Sequence, residues 1–144
     1  MKKIWFVLVV LFLMPNITIA GSLKDEKDIR AFATGVMEKV GKGDLDGAFN
    51  ALKPYVALSS TEIDSVAIQS KAQREQYGKR YVESIGFEFI DEKKVGESLI
   101  RLRYIEKTDK HALPWLFYFY KTPEGWTLNA FNWNDQFNQL FLTN

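Results

Sequence analysis

The stretch His111 to Asp135, HALPWLFYFYKTPEGWTLNAFNWND, decides the fold. Aromatic residues alternate along two short runs, and a turn sequence separates them. Alternation over about eight residues is the mark of a half-buried strand, and Phe, Tyr and Trp fit a pleated surface. Thr122-Pro123-Glu124-Gly125 supplies the break. Pro presets φ for a turn, and Gly accepts the positive φ on which such loops end. The segment therefore reads as a β-hairpin.

With Lys121 opposite Trp126, Phe119 faces Leu128, Phe117 faces Ala130 and Trp115 lies beside Asn132. One face is then almost wholly apolar. The other carries Leu116, Tyr118 and Tyr120 against Thr127, Asn129, Phe131 and Trp133, a mixed aromatic and polar surface. A bulge at the loop would slip one strand by a residue and mix the two faces.

Upstream of the hairpin the period stays at two. Phe87 and Phe89 alternate inward with Glu88 and Ile90 outward, and Asp91 to Gly96 reads as a turn. Over Glu97 to Lys107, Ile100, Leu102 and Tyr104 point inward while Leu99, Arg101, Arg103 and Ile105 point outward. Before Ser84 the period is that of a helix. Ile29, Phe32, Val36 and Val40 make an apolar stripe within Leu23 to Val40, which Gly41-Lys42-Gly43 stops. Asp44 reads as the N-cap of a short helix through Ala48, Phe49 and Leu52, with Pro54 behind it. Ser59 and Glu62 have capping-box spacing, and Ile63, Val66, Ala67, Ser70, Tyr77 and Tyr81 continue one side of a third helix that Gly78 ends or bends. Phe137, Leu140 and Phe141 read as a C-terminal turn of helix packing back. The fold class expected is α+β: three N-terminal helices packed on a curved antiparallel four-stranded meander.

At 144 residues, 47% hydrophobic and 26% charged, the chain fits one globular domain with a real core. Residues 1–20, MKKIWFVLVVLFLMPNITIA, read as a secretory signal peptide: a basic start, an apolar run to Met14, a breaking Pro15 and a small Ala20. The domain is then 21–144. The apolar run is short for a bilayer span, so no membrane association is expected after cleavage. The bacterial style of the leader points to the periplasm. Losing Lys2 and Lys3 takes the formal charge from +1 to −1, a balance that favours neither polyanions nor acidic membranes. Lys79-Arg80 and Arg101/Arg103 are short basic pairs flanked by acids, so nucleic acid is not an expected partner. The chain has no Cys, hence no lipid anchor on sulfur and no disulfide framework.

Helix, short helix, helix, then four meandering strands is an order that resembles the nuclear transport factor 2-like superfamily, a cystatin-like α+β roll. The residues carrying the resemblance are Gly43-Asp44-Leu45-Asp46-Gly47-Ala48-Phe49, Tyr104, and Trp115 through Trp133 with Phe119-Tyr120-Lys121 and Gly125-Trp126-Thr127-Leu128. They are core and turn positions that specify fold rather than chemistry, in a superfamily of isomerases, dehydratases, binding modules and dimerisation domains. The resemblance implies a conical cleft between sheet and helices, with Tyr77, Tyr81, Tyr104, Trp115, Trp126 and Asn132 as residues that reach it. It also implies that the outer sheet face serves as an interface.

Enzymes resembling this fold place ionisable groups inside the cone, where burial moves a pKa toward the working pH. The inward positions read here hold no carboxylate and no imidazole. Tyr104 with Asp91 is the one proton-transfer pair that the sequence offers, for isomerase- or dehydratase-type chemistry, against the plainer reading of a core tyrosine and a turn aspartate. His111, the single histidine, lacks the partners a metal site needs and reads as a loop residue. No cofactor motif is present: no phosphate-cradling glycine loop and no Gly-x-Ser-x-Gly. What stands out is the outer face. Arg101, Arg103, Tyr118, Tyr120, Phe131 and Trp133 are expected there together, and Tyr, Trp and Arg are enriched at interface centres. The alternative is that the guanidinium groups only stack on the rings and cover them. The expected function is a non-catalytic secreted binding module. It takes a protein on the sheet, with a homodimer as the simplest form, or a small apolar ligand in the cone.

Overall fold

The computed structural model describes residues 21–78 and 83–142, so the signal-peptide segment and Tyr81 lie outside the described residues. Three helices come first: α1 (Glu26–Gly41), α2 (Leu45–Leu52) and α3 (Ser60–Tyr77). Four strands follow, β1 (Ser84–Val95), β2 (Leu99–Thr108), β3 (Ala112–Thr122) and β4 (Gly125–Trp133), and then a 3-10 helix over Phe137–Phe141. The strands form one antiparallel sheet in the order β1-β2-β3-β4, which is not closed. This is the α+β arrangement expected.

Each helix starts where its polar cap allows. Asp25 accepts from the Asp28 N–H at 2.9 Å, and Asp44 accepts from the Gly47 N–H at 2.9 Å. At α3 both halves of the Ser59/Glu62 capping box form. Gly78 closes α3 at φ 58°, a left-handed position that a Cβ would disfavour. α1 begins three residues later than its stripe predicts because Leu23 is already committed. Its backbone exchanges hydrogen bonds of 2.9 and 2.7 Å with Trp126. Gly125 makes that approach possible, since at φ 135° a Cβ there would meet the Leu23 carbonyl oxygen at 2.7 Å. Leu23 and Val56 bridge to β4 at Trp126 and Leu128, covering part of its outer edge.

The core lies between the helices and one face of the sheet. Ile29, Val36, Met37 and Val40 of α1 and Phe49 and Leu52 of α2 are buried with Ile100, Leu102, Tyr104, Trp115, Phe117, Phe119 and Leu128. The aromatic rings meet at angles: Phe32 edge-on to Phe119 at 6.2 Å, and Tyr104 edge-on to Phe117 at 5.8 Å.

Register shifts at Asn129 of β4 and at Ile85 and Ile90 of β1 reset the faces. Phe119 pairs with Leu128 as expected, but Tyr118 pairs with Ala130, leaving Asn129 as a bulge in β4. The slip falls in mid-strand rather than at the loop. Beyond it Phe117 opposes Phe131 and Trp115 opposes Trp133, so Phe131 and Trp133 turn inward onto the core while Asn132 turns outward and is exposed. The expected facing of all three is thereby reversed. Likewise, Phe89 pairs with Tyr104 and Asp91 with Arg103, leaving Ile90 as a bulge in β1. The turn expected over Asp91 to Gly96 is strand as far as Val95, because those residues pair with β2 up to Leu99. The 3-10 helix forms where a turn of helix was expected, but Phe137 and Phe141 stay 46% and 79% exposed.

Candidate functional site

The outer face is organised in rows across the strands. Val95, Leu99 and Tyr120 are paired neighbours, then Lys93, Arg101 and Tyr118, then Asp91, Arg103 and Leu116. Side chains at every second residue share a face, so these rows are about 7 Å apart. The first row is apolar and open, with Val95, Leu99 and Tyr120 at 59%, 44% and 45% exposure. In the third, Arg103 donates through Nε to Asp91 at 2.7 Å and through Nη2 to the other carboxylate oxygen. This bidentate pair, chiefly its hydrogen bonding, holds the Asp91 carboxyl below and the Arg103 guanidinium above their ordinary values. Arg103 is buried, so it anchors this face rather than presenting itself. Arg101 Nη2 lies 3.7 Å from the same carboxylate, and its Nε is buried with no acceptor among the described residues.

Two grooves open on this face. One, of about 290 Å³, is lined by Val95, Leu99 and Tyr118, and the other, of about 450 Å³, by Pro114, Leu116, Leu140 and Leu142 with Asp91 and Arg103; Lys93 and Arg101 border both.

The inner face is filled. Tyr104, Trp115 and Trp126 are 1%, 1% and 5% exposed. The Tyr104 hydroxyl shares a 3.1 Å hydrogen bond with Thr34 Oγ1, and burial pushes its phenol above the ordinary value. Asp91 pairs with Arg103 on the opposite face, so Tyr104 and Asp91, the alternative proton-transfer pair, do not come together. Tyr77 is half-buried at the end of α3, where its hydroxyl accepts from Gln73 Nε2 at 3.0 Å.

One inward carboxylate escaped the sequence reading. Glu106 is 0% exposed and continues the inward parity of Ile100, Leu102 and Tyr104. Arg74 donates to its two oxygens at 2.8 and 2.7 Å, Trp115 Nε1 donates at 2.9 Å, and the Ser84 hydroxyl donates as well. Four donors saturate a carboxylate. The Arg74 guanidinium also sits 4.7 Å over the Trp133 ring, whose Nε1 donates to Ser70 at 3.0 Å. Every oxygen of Glu106 is engaged, so the cluster is arranged to fasten α3 to the sheet. The signal was present in the alternation, which stopped one step early at Tyr104.

His111 packs edge-on against Phe137 at 5.7 Å. Among the described residues no group of three His, Cys, Asp or Glu side chains converges as a metal site, and no helix is long and apolar enough to cross a membrane. Comparison with protein-family models, with curated proteins and with solved structures returns no match.

Proposed function

We propose that the chain is a secreted, non-catalytic interaction module of the nuclear transport factor 2-like kind, which engages a protein on the outer face of its sheet. Secretion rests on the leader reading of residues 1–20, and the superfamily on the order of three helices and a four-stranded meander. The observation that carries the docking role is the outer face itself. An exposed apolar row of Val95, Leu99 and Tyr120 adjoins the groove lined by Val95, Leu99 and Tyr118, and apolar surface gathered in this way is the mark of an interaction site. A small apolar ligand has less to support it, because Tyr104, Trp115 and Trp126 are packed into the core.

The test is site-directed photocrosslinking in the cells that make the protein. A photoreactive phenylalanine derivative at Leu99 is expected to give a discrete adduct that Tyr118→Ser abolishes, while the same group at exposed Glu38 on α1 gives none. Silence at Leu99, or equal labelling from both positions, refutes the docking face.

A further inference from the structure

The outer face is divided along its strands, and the division identifies its partner, an inference that rests on the docking role proposed above. At one end lies the open groove, which spans β1 at Val95, β2 at Leu99 and β3 at Tyr118. At the other end the C-terminal tail, Phe137–Leu142, lies over the same three strands. Its Leu140 and Leu142 border Asp91 of β1, Arg103 of β2, and Pro114 and Leu116 of β3. The Asn134 N–H holds the start of the tail to the Pro114 carbonyl at 3.2 Å. No residue of the 3-10 helix is buried, and Phe141 and Leu142 stand mostly in solvent. From Gln136 to Asn144 the sequence carries no charged side chain, in a chain that is 26% charged. A neutral segment with exposed Phe and Leu side chains has the composition of surface that another surface covers.

We infer that the partner is a second copy of this chain, and that Phe141 of each copy enters the groove of the other beside Leu99 and Tyr118. The arrangement follows from where the two features lie. A two-fold axis running across the strands, midway between two facing sheets, sets the tail end of each face on the groove end of the other. Tail and groove cover the same three strands, so no sideways shift is needed. Both contacts form at once, and the pair is closed, with no groove left over to recruit a third copy. The groove, of about 290 Å³, has room for one aromatic ring, and an aromatic side chain seated in a pocket is a common anchor of an interface. Val95, Leu99 and Tyr120 of one copy leave solvent together with Phe137, Phe141 and Leu142 of the other. That is several hundred Å² on each side, the scale of a standard interface at about 800 Å² per partner. The tail is neutral, so Arg101 at the groove keeps its contact with Asp91.

The test is sedimentation equilibrium of the purified chain from Gly21 across a dilution series, with melting curves to confirm that each variant folds. A two-fold mass is expected. Phe141→Ser and Leu99→Ser are each expected to weaken the pair by about tenfold or more, and both together no further than one alone, since they remove the same contact. The chain has no cysteine, so a Leu99→Cys chain mixed with a Phe141→Cys chain reports that contact directly. Mild oxidation is expected to join the two kinds of chain to each other, and neither kind to itself. A single-chain mass at every concentration overturns the second copy. The photocrosslink at Leu99 then separates the two claims: an adduct with a different protein keeps the docking face, and silence removes it as well. A two-fold mass that neither serine variant shifts overturns the seating of the tail. So does a Leu99→Cys/Phe141→Cys chain that closes its disulfide within one copy.

Discussion

Replacing Arg74 with alanine strips two donors from a carboxylate that has no access to water. Glu106 is 0% exposed and would keep only Ser84 and Trp115. Removing one partner of a buried ion pair costs about 3–5 kcal/mol, because the remaining charge stays desolvated. The Arg74 side chain is itself 14% exposed, so truncation opens a path for water and places the loss near the lower end, about 3 kcal/mol. Loss of the guanidinium 4.7 Å over Trp133 adds about 0.5–1 kcal/mol. A loss of about 3.5–4 kcal/mol is a large part of the roughly 5–15 kcal/mol that holds an ordinary domain together. Urea unfolding followed by tryptophan emission reads it directly, since Trp115 and Trp133 both belong to the cluster. Glu106→Gln placed in the Arg74→Ala background removes the stranded charge and is expected to recover about 1–2 kcal/mol. An Arg74→Ala loss under about 1 kcal/mol would show that Glu106 does not depend on the guanidinium, and the account of α3 as fastened by this pair would fail.

Three further outcomes are expected. Arg103→Gln destabilises near neutral pH, but the gap from wild type closes in acid. The folded-state carboxyl of Asp91 lies below its ordinary value of 3.8, so the stability that it contributes is present above that value and lost as pH falls through the lower folded one. Denaturation curves down to strong acid check this, and a gap that persists when Asp91 is protonated refutes it. Tyr104→Phe costs about 1 kcal/mol at neutral pH through the Thr34 hydrogen bond. It also removes an alkaline loss: the folded phenol ionises above its ordinary value of 10.0, so the unfolded chain gives up its proton first and wild-type stability falls as pH climbs past it. Equal alkaline losses in the two proteins would sink that assignment. Deleting Asn129 is expected to keep the fold within about 1.5 kcal/mol and leave tryptophan emission blue, because Ala130 then follows Leu128 in regular register and Phe131 and Trp133 still point inward. Emission shifted to that of the unfolded chain would mean that the bulge itself is required.

The helix ends were legible because capping is local. Asp44, the Ser59/Glu62 pair and Gly78 each act within three or four residues, and each lies where the sequence places it. Strand faces are different, since parity is a running sum along the strand and one unpaired residue reverses everything beyond it. Nothing in Leu128-Asn129-Ala130 marks Asn129 as the residue to be left out of the pairing. The alternation was therefore carried straight through, and Asn132 changed places with Phe131 and Trp133. Packing decides the matter: with the bulge, two large aromatic side chains join Phe49 and Trp115 in the core, whereas a regular strand would bury Ala130 and Asn132 in their place. Arg101, Arg103, Tyr118 and Tyr120 kept their expected side because no bulge interrupts β2 against β3. Glu106 was missed for the opposite reason. Its parity is plain, but the inward positions were read only as far as Tyr104, and the partners that make a buried carboxylate tenable come from Arg74 and Ser84, 32 and 22 residues earlier in the chain. The sequence shows a strand's period but not the distant partner that lets a charged residue obey it, so the outward side of Arg101, Arg103, Tyr118 and Tyr120 was readable from their own strands while the inner cluster required the helix laid across them.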